Sequence, residues 1–254
     1  MPNWTNDYYQ SLVERFDSII DGLDSRLADV IEGRVTPSLE DLTIGSARKL
    51  RAASLFFDIR NFSSRTSSPD LGQLKSALFI LDCVIPMIMH VVYDYDGYIE
   101  KNTGDGILAI IGAEENDATA ANSAIDIAMI SFYLLNNLIN PYLVQNDVEE
   151  INARVGIALG TLLISRIGTP TGSSKHPRNF LTAVGPSANL ANLLQNMAGT
   201  NQTWVGDLVK KNDYESRQRF FIEKTPESWT WTYASDDSIY PIWYFNAEKK
   251  IPGE

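Results

Sequence analysis

Residues 50–168 change their apolar periodicity in a fixed order, and that order restricts the folds open to the chain. LRAASLFFDIRNF is an apolar run ending near Asp58, the pattern of a buried strand. After the polar loop SSRTSSPD, LGQLKSALFILDCVIPMIMHVV has helical spacing, with Ser68 or Asp70 as candidate cap and a kink expected at Pro86. YIEKNT and ILAIIG follow as two strands around a Gly-Asp-Gly tip. NDATAANSAIDIAMISFYLLNNLI is a helix opened by Asn or Asp, and INARVGIALGTLLISRIG reads as two strands turning at Gly160. Strand, helix, two strands, helix, strand is an α+β class: a ferredoxin-like βαββαβ core. Its antiparallel sheet would carry helices on one face. The other face then needs cover from N-terminal helices, the C-terminal tail or a partner chain.

Ahead of this core, Leu12, Phe16, Ile19, Ile20, Leu23, Leu27, Val30 and Ile31 fall at helical spacing, which predicts one or two amphipathic helices. VTPSLEDLTIGSARK reads as a linker. The expected division is 1–48 as helical arm and linker, and 49–254 as the main domain. GTPTGSSKHPRN is a loop rich in turn formers, and FLTAVGPSANLANLLQNM is a strand entering a helix. The tail alternates short strands with a helix as a C-terminal extension.

A net charge of −11 argues against a broad nucleic-acid-binding face, so no nucleic acid partner is expected. Cys83 is the single cysteine, which excludes an intrachain disulfide and a Cys-based zinc site. The N-terminus has no basic region followed by an apolar core, so it does not read as a signal peptide. The apolar stretch ALFILDCVIPMIMHVVYDY is broken by Asp82, Pro86 and His90. It reads as a buried helix, with His90 in the core, and not as a membrane span. These features predict a cytoplasmic protein.

In a βαββαβ sheet the first strand and the hairpin lie side by side, so Asp58 at the strand end and Asp105 at the tip can meet. Each has an ordinary explanation alone. Asp-Gly is common turn chemistry, and a strand-end aspartate often caps the next helix. Together they are two carboxylates that repel unless one is protonated or a cation lies between them. Mg²⁺ or Mn²⁺, which take oxygen ligands, are the expected resolution.

FFDIRNF, GYIEKNTGDGILAIIG, ARVGIALG and FLTAVGPSANLANLLQ occur in this order over residues 50–205. Together they resemble the catalytic domain of the class III nucleotide cyclases. The resemblance implies that 49–254 is a cyclase domain. It implies two Mn²⁺ or Mg²⁺ ions per site, held by Asp58, Asp105 and the backbone carbonyl of Ile59. It assigns base reading to Lys101 and Thr182, and orientation of the ribose to Asn189. It also implies a homodimer in which metal aspartates of one chain face base and ribose residues of the other. The reaction implied is in-line attack of the ribose 3′-hydroxyl on the α-phosphorus, with pyrophosphate leaving.

The chain departs from the family pattern in three places. Leu193 stands where an arginine usually contacts phosphate, and the stretch DDSIYPIWYFN offers no late lysine to hold pyrophosphate. Arg60, Arg166, Lys175 and Arg178 are candidate replacements. Phe57 stands where a small residue usually precedes the first aspartate, although alternation also makes it a core residue. The DIR sequence, the solitary domain and the short N-terminal arm resemble the pyrimidine cyclases of the bacterial Pycsar anti-phage systems. That resemblance implies UTP as substrate, then CTP, then ATP, and a cyclic product read by a separate effector protein. A catalytically silent cyclase-like module and an unrelated ferredoxin-like binding protein are the alternative readings.

Overall fold

The structure is a computed structural model and describes residues 9, 10, 13–15, 17, 30–33, 35–169 and 179–248. Most of the expected N-terminal helices lie outside the described residues, as do Lys175 and Arg178; residues 9, 10, 13–15 and 17 are helical. In chain order the elements are β1 (Ile31–Glu32), β2 (Ala47–Ile59), α1 (Phe62–Arg65), α2 (Leu71–Asp94), β3 (Tyr98–Asn102) and β4 (Gly106–Ile111). Next come α3 (Asp117–Leu134), a π-helical turn (Leu135–Ile139), α4 (Asn140–Gln145), β5 (Ala153–Gly168), β6 (Asn179–Val184) and α5 (Pro186–Met197). The chain ends with β7 (Gln202–Gly206), α6 (Asp207–Asn212), a 3₁₀ turn (Glu215–Phe220), β8 (Phe221–Glu223) and β9 (Ile242–Phe245). The α+β class is as expected. Two compact units result: Met1–Leu50 with Leu163–Val184, and Arg51–Leu162 with Gly185–Glu254.

In the larger unit the strands run in the order β3-β4-β2-β5-β7-β9-β8. β2 pairs antiparallel with β4, and Asp58 lies opposite Gly106. α2 and α3 pack on one face. Ile80, Val84 and Ile88 of α2, with Ala124, Ile125 and Ala128 of α3, join Leu55, Phe57, Ile107 and Ala109 in one core. Caps fix both helix starts: Asp70 accepts from Gln73 N–H at 2.9 Å, and Asn116 from Thr119 N–H at 2.9 Å. α2 runs through Pro86 without ending. Asp82, Pro86 and His90 are spaced by four and all exposed, so they form its outward stripe. His90 is therefore a surface residue, not the core residue expected. Helix α2 and the run Asp117–Gln145 are long and apolar enough to cross a membrane by composition, yet each buries a face on the sheet.

Helices occupy both faces of this sheet, which corrects the one-face expectation. Leu190, Ala191 and Leu194 of α5 pack with Ala158 of β5 and with Tyr240 and Ile242 of the tail. The reason lies in the β5–β7 pairing. It is parallel, so the chain must cross over between the two strands, and α5 lies on that connection. Gly156 permits the close approach, because a Cβ there would run into the backbone of Ala191 and Gln195.

The expected turn at Gly160 is also corrected. β5 is one continuous strand, and Gly160 is absent from the positive-φ positions. What changes there is the partner: Arg154–Ile157 pair with β7, and Leu163–Gly168 pair with β6. The smaller unit contains that second pairing. It also contains β1, which pairs in parallel with Arg48 and Lys49. Ile31 is thus in a strand, not the end of a helix, because strand pairing overrides local helical spacing. Arg166 donates to the carbonyls of Leu39 at 2.7 Å and Leu42 at 2.8 Å, and to Asn179 Oδ1 at 2.8 Å. Its guanidinium is engaged in holding this unit together.

Gly156→Ala is expected to lower the unfolding free energy by about 1–3 kcal/mol, since backbone and not a flexible side chain blocks the new methyl. Chemical denaturation of the two proteins measures it, and equal midpoints contradict direct seating of α5 on β5.

Candidate active site

The Gly-Asp-Gly tip brings together what the sequence separates. Gly104 has φ +98°, a turn conformation that favours glycine. Its N–H is held by Asn102 Oδ1 at 2.7 Å, and Thr103 N–H donates to Gly106 carbonyl at 2.9 Å. Gly106 serves a different purpose. A Cβ there would collide with the Phe57 carbonyl oxygen, so only glycine lets the tip lie against the end of β2. Ile59 N–H then donates to the Asp105 carbonyl at 2.9 Å, which fastens strand end to tip.

Asp58, Asp105 and Ile59 line one open hollow of about 450 Å³ with Asn61, Phe62, Ser63, Ser64 and Arg154. Asp58 caps no helix: α1 begins after Asn61, which stands in the left-handed region. Instead Asp58 Oδ2 accepts from Arg154 Nε at 2.9 Å and from Gln195 Nε2 at 2.9 Å. Burial raises the Asp58 pKa above the usual carboxylate value; hydrogen bonds from Arg154 and Gln195 oppose this, and the charge of Asp105 adds to it.

The donor set fits a hard divalent cation. Two carboxylates and a backbone carbonyl are all oxygen ligands, and the hollow is open enough for water and phosphate oxygens to complete the shell. Among the described residues no group of three or more His, Cys, Asp or Glu is arranged to hold a metal alone. A second cavity, between α3 and β9, is lined by Phe132, Asn136, Asn137, Tyr244 and neighbours, with Glu248 as its one acidic group. It lacks this chemistry.

The other expected site residues do not line the hollow. Lys101 lies on β3 with its side chain 45% exposed. Asn189 is on the exposed side of α5, and Leu193 is partly buried on the same helix. Thr182 belongs to the smaller unit, where it pairs with Ser165. Phe57 is fully buried in the core under α2 and α3, on the face opposite Asp58. Arg60 donates to the Ala198 carbonyl at 3.2 Å.

Sequence reasoning missed Arg154 and Gln195. A signal existed: Arg154 interrupts the buried strand run ARVGIAL, and a cation inside such a strand requires a counter-charge. Gln195 is only 4% exposed on an apolar helix face, so its amide also needed a partner.

No protein-family model matches the chain. It is 24% identical to a cytidylate cyclase of Staphylococcus aureus over 162 residues, covering 62% of this chain and 36% of that protein. It is 25% identical to a uridylate cyclase of Burkholderia cepacia over 218 residues, covering 82% and 89%. The chain thus spans about a third of the first of these relatives. In structure it is similar to the guanylyl cyclase Cya2, with TM-score 0.63 and 19% identity, covering 82% of this chain and 96% of that one. The fold is that of class III nucleotide cyclase domains.

The folded chain holds the Asp58 proton more tightly than the unfolded chain does. That contribution to stability is present below the ordinary carboxylate pKa and is lost as pH rises through the raised value. A cation that prefers the ionised pair reverses the trend. Mn²⁺ at neutral pH is expected to raise the melting temperature, equivalent to about 2.7 kcal/mol at a hundredfold excess over its dissociation constant. The shift should shrink near pH ~4 and vanish in Asp58→Asn. Equal shifts in both proteins, by scanning fluorimetry, contradict a cation at this position.

Proposed function

We propose that this chain, a class III cyclase domain in fold, is a metal-dependent nucleotide cyclase that converts a pyrimidine nucleoside triphosphate to its 3′,5′-cyclic monophosphate and pyrophosphate. The observation that carries the reading is the pairing of Asp58 and Asp105 in one open hollow with Arg154 against them. UTP is the favoured substrate, then CTP, then ATP. The names of the two curated relatives support a pyrimidine.

The reading requires a homodimer. The hollow of a single chain contains acidic residues and Arg154, but neither Lys101 nor Asn189. A second copy supplies these, with Thr182, so two composite sites form about one twofold axis. Asp58, Asp105 and the Ile59 carbonyl would hold two Mn²⁺ or Mg²⁺ ions, which would supply Lewis acidity toward the triphosphate and the ribose 3′-hydroxyl. Arg154 presents a fixed guanidinium to phosphate oxygens entering the hollow, the charge absent at Leu193. Lys101 and Thr182 contact the base. Asn189 holds the ribose so that the 3′-oxygen lies in line with the α-phosphorus, and this orientation is a large part of the rate. The product serves as a cytoplasmic second messenger in anti-phage defence, read by a separate effector.

Leu193 favours a second reading, a cyclase-like module that binds nucleotide without turnover. Incubation with each of the four triphosphates and Mn²⁺ separates the two. Cyclic UMP or cyclic CMP is expected. Cyclic AMP alone overturns the pyrimidine assignment, and triphosphate binding without product supports the silent module. Asp58→Ala and Asp105→Ala should each reduce turnover by at least ~10³-fold. Mixing Asp58→Ala with Lys101→Ala, each inactive, should restore about a quarter of wild-type activity, because half the random dimers carry one intact site of two. No recovery after demonstrated subunit exchange contradicts shared sites.

A further inference from the structure

We propose that Glu100 is a positioning residue that holds Lys101 and so sets how selectively the site reads the base. The inference rests on the reading of Lys101 as a base contact and deepens it.

Adjacent residues of a regular strand point to opposite faces, so Glu100 and Lys101 should not meet. The register of β3 on β4 removes that obstacle. Ile99 lies opposite Ala109 and Lys101 opposite Leu108, which leaves Glu100 as an extra residue in a β-bulge. A bulge turns two successive residues toward one side. Lys101 Nζ accordingly lies 3.3 Å from Glu100 Oε2. Leu108 in turn lies opposite Phe56, two residues before Asp58, so this pair is on the face of the sheet that bears Asp58.

The two side chains differ sharply in exposure. Glu100 is 1% exposed and Lys101 45%. A carboxylate at that depth is costly unless a cation lies beside it. A lysine on a hairpin edge otherwise samples many rotamers. The buried group therefore anchors the mobile one. Glu100 Oε2 is shielded from solvent and does not reach a base itself. It acts through Lys101, whose side chain is 45% exposed and whose ammonium has further N–H donors to offer an acceptor on the base. Uracil offers two carbonyl oxygens as acceptors, where adenine offers only ring nitrogens.

The test is binding of 3′-deoxy nucleoside triphosphates, which lack the attacking hydroxyl, to the intact protein with Mn²⁺, by calorimetry. Wild type is expected to favour the uracil analogue over the adenine analogue. Lys101→Ala should erase that preference. Glu100→Gln should reduce it roughly tenfold, and Glu100→Gln/Lys101→Ala should bind no differently from Lys101→Ala alone. Glu100→Asp, which retains the charge on a shorter arm, should fall between wild type and Glu100→Gln, and it carries the test if Glu100→Gln does not fold. Three results overturn the proposal while leaving Lys101 as base reader: unchanged selectivity in the Glu100 variants, equal weakening for all bases, or losses that add in the double variant. If Lys101→Ala leaves base preference intact, or wild type has none, the reading of Lys101 fails and Glu100 fails with it.

Discussion

The contact between the end of β2 and the tip of the β3–β4 hairpin organises the rest of the site. Ile59 N–H and the Asp105 carbonyl close it, and the missing side chain of Gly106 makes room for it. Two carboxylates distant in sequence are thereby carried to one place by backbone geometry, not by their own attraction. Their mutual repulsion and the burial of Asp58 make the ionised pair unfavourable on its own. Arg154 and Gln195 offset part of that cost through Asp58 Oδ2. A hard cation would offset the remainder.

Much of the surrounding fold supports that contact. α2 and α3 fix β2 and β4 from one side, and α5 fixes β5 from the other. Arg154 and Gln195 come from β5 and α5, whose close approach depends on Gly156. The groups that hydrogen-bond Asp58 are therefore delivered by the same packing that closes the second face of the sheet. A chain that lost the seating of α5 would lose the Gln195 hydrogen bond to Asp58 as well as core area.

The βαββαβ element order, a cap at Ser68 or Asp70 (it is Asp70), an Asn or Asp start to α3 (it is Asn116), and the meeting of Asp58 with Asp105 were legible because each rests on local periodicity or on one topological step. The errors have a common cause. The continuity of β5 through Gly160, the strand at Ile31 and the second helical layer are all set by pairing partners far along the chain, which no local window contains. His90 was misread for a related reason: in a helix this apolar, only tertiary packing decides which stripe faces water. Arg154 was overlooked because its counter-charge is Asp58, distant in sequence. The bulge at Glu100 is invisible in a five-residue strand until the partner register is known.

Anomalous diffraction from crystals grown with Mn²⁺ and a 3′-deoxy pyrimidine triphosphate tests the central claim most directly. The account requires manganese peaks at roughly 2.0–2.2 Å from carboxylate oxygens of both Asp58 and Asp105, with the triphosphate oxygens on the same ions. Peaks elsewhere, or none while Arg154 and Gln195 still hold Asp58, would contradict it.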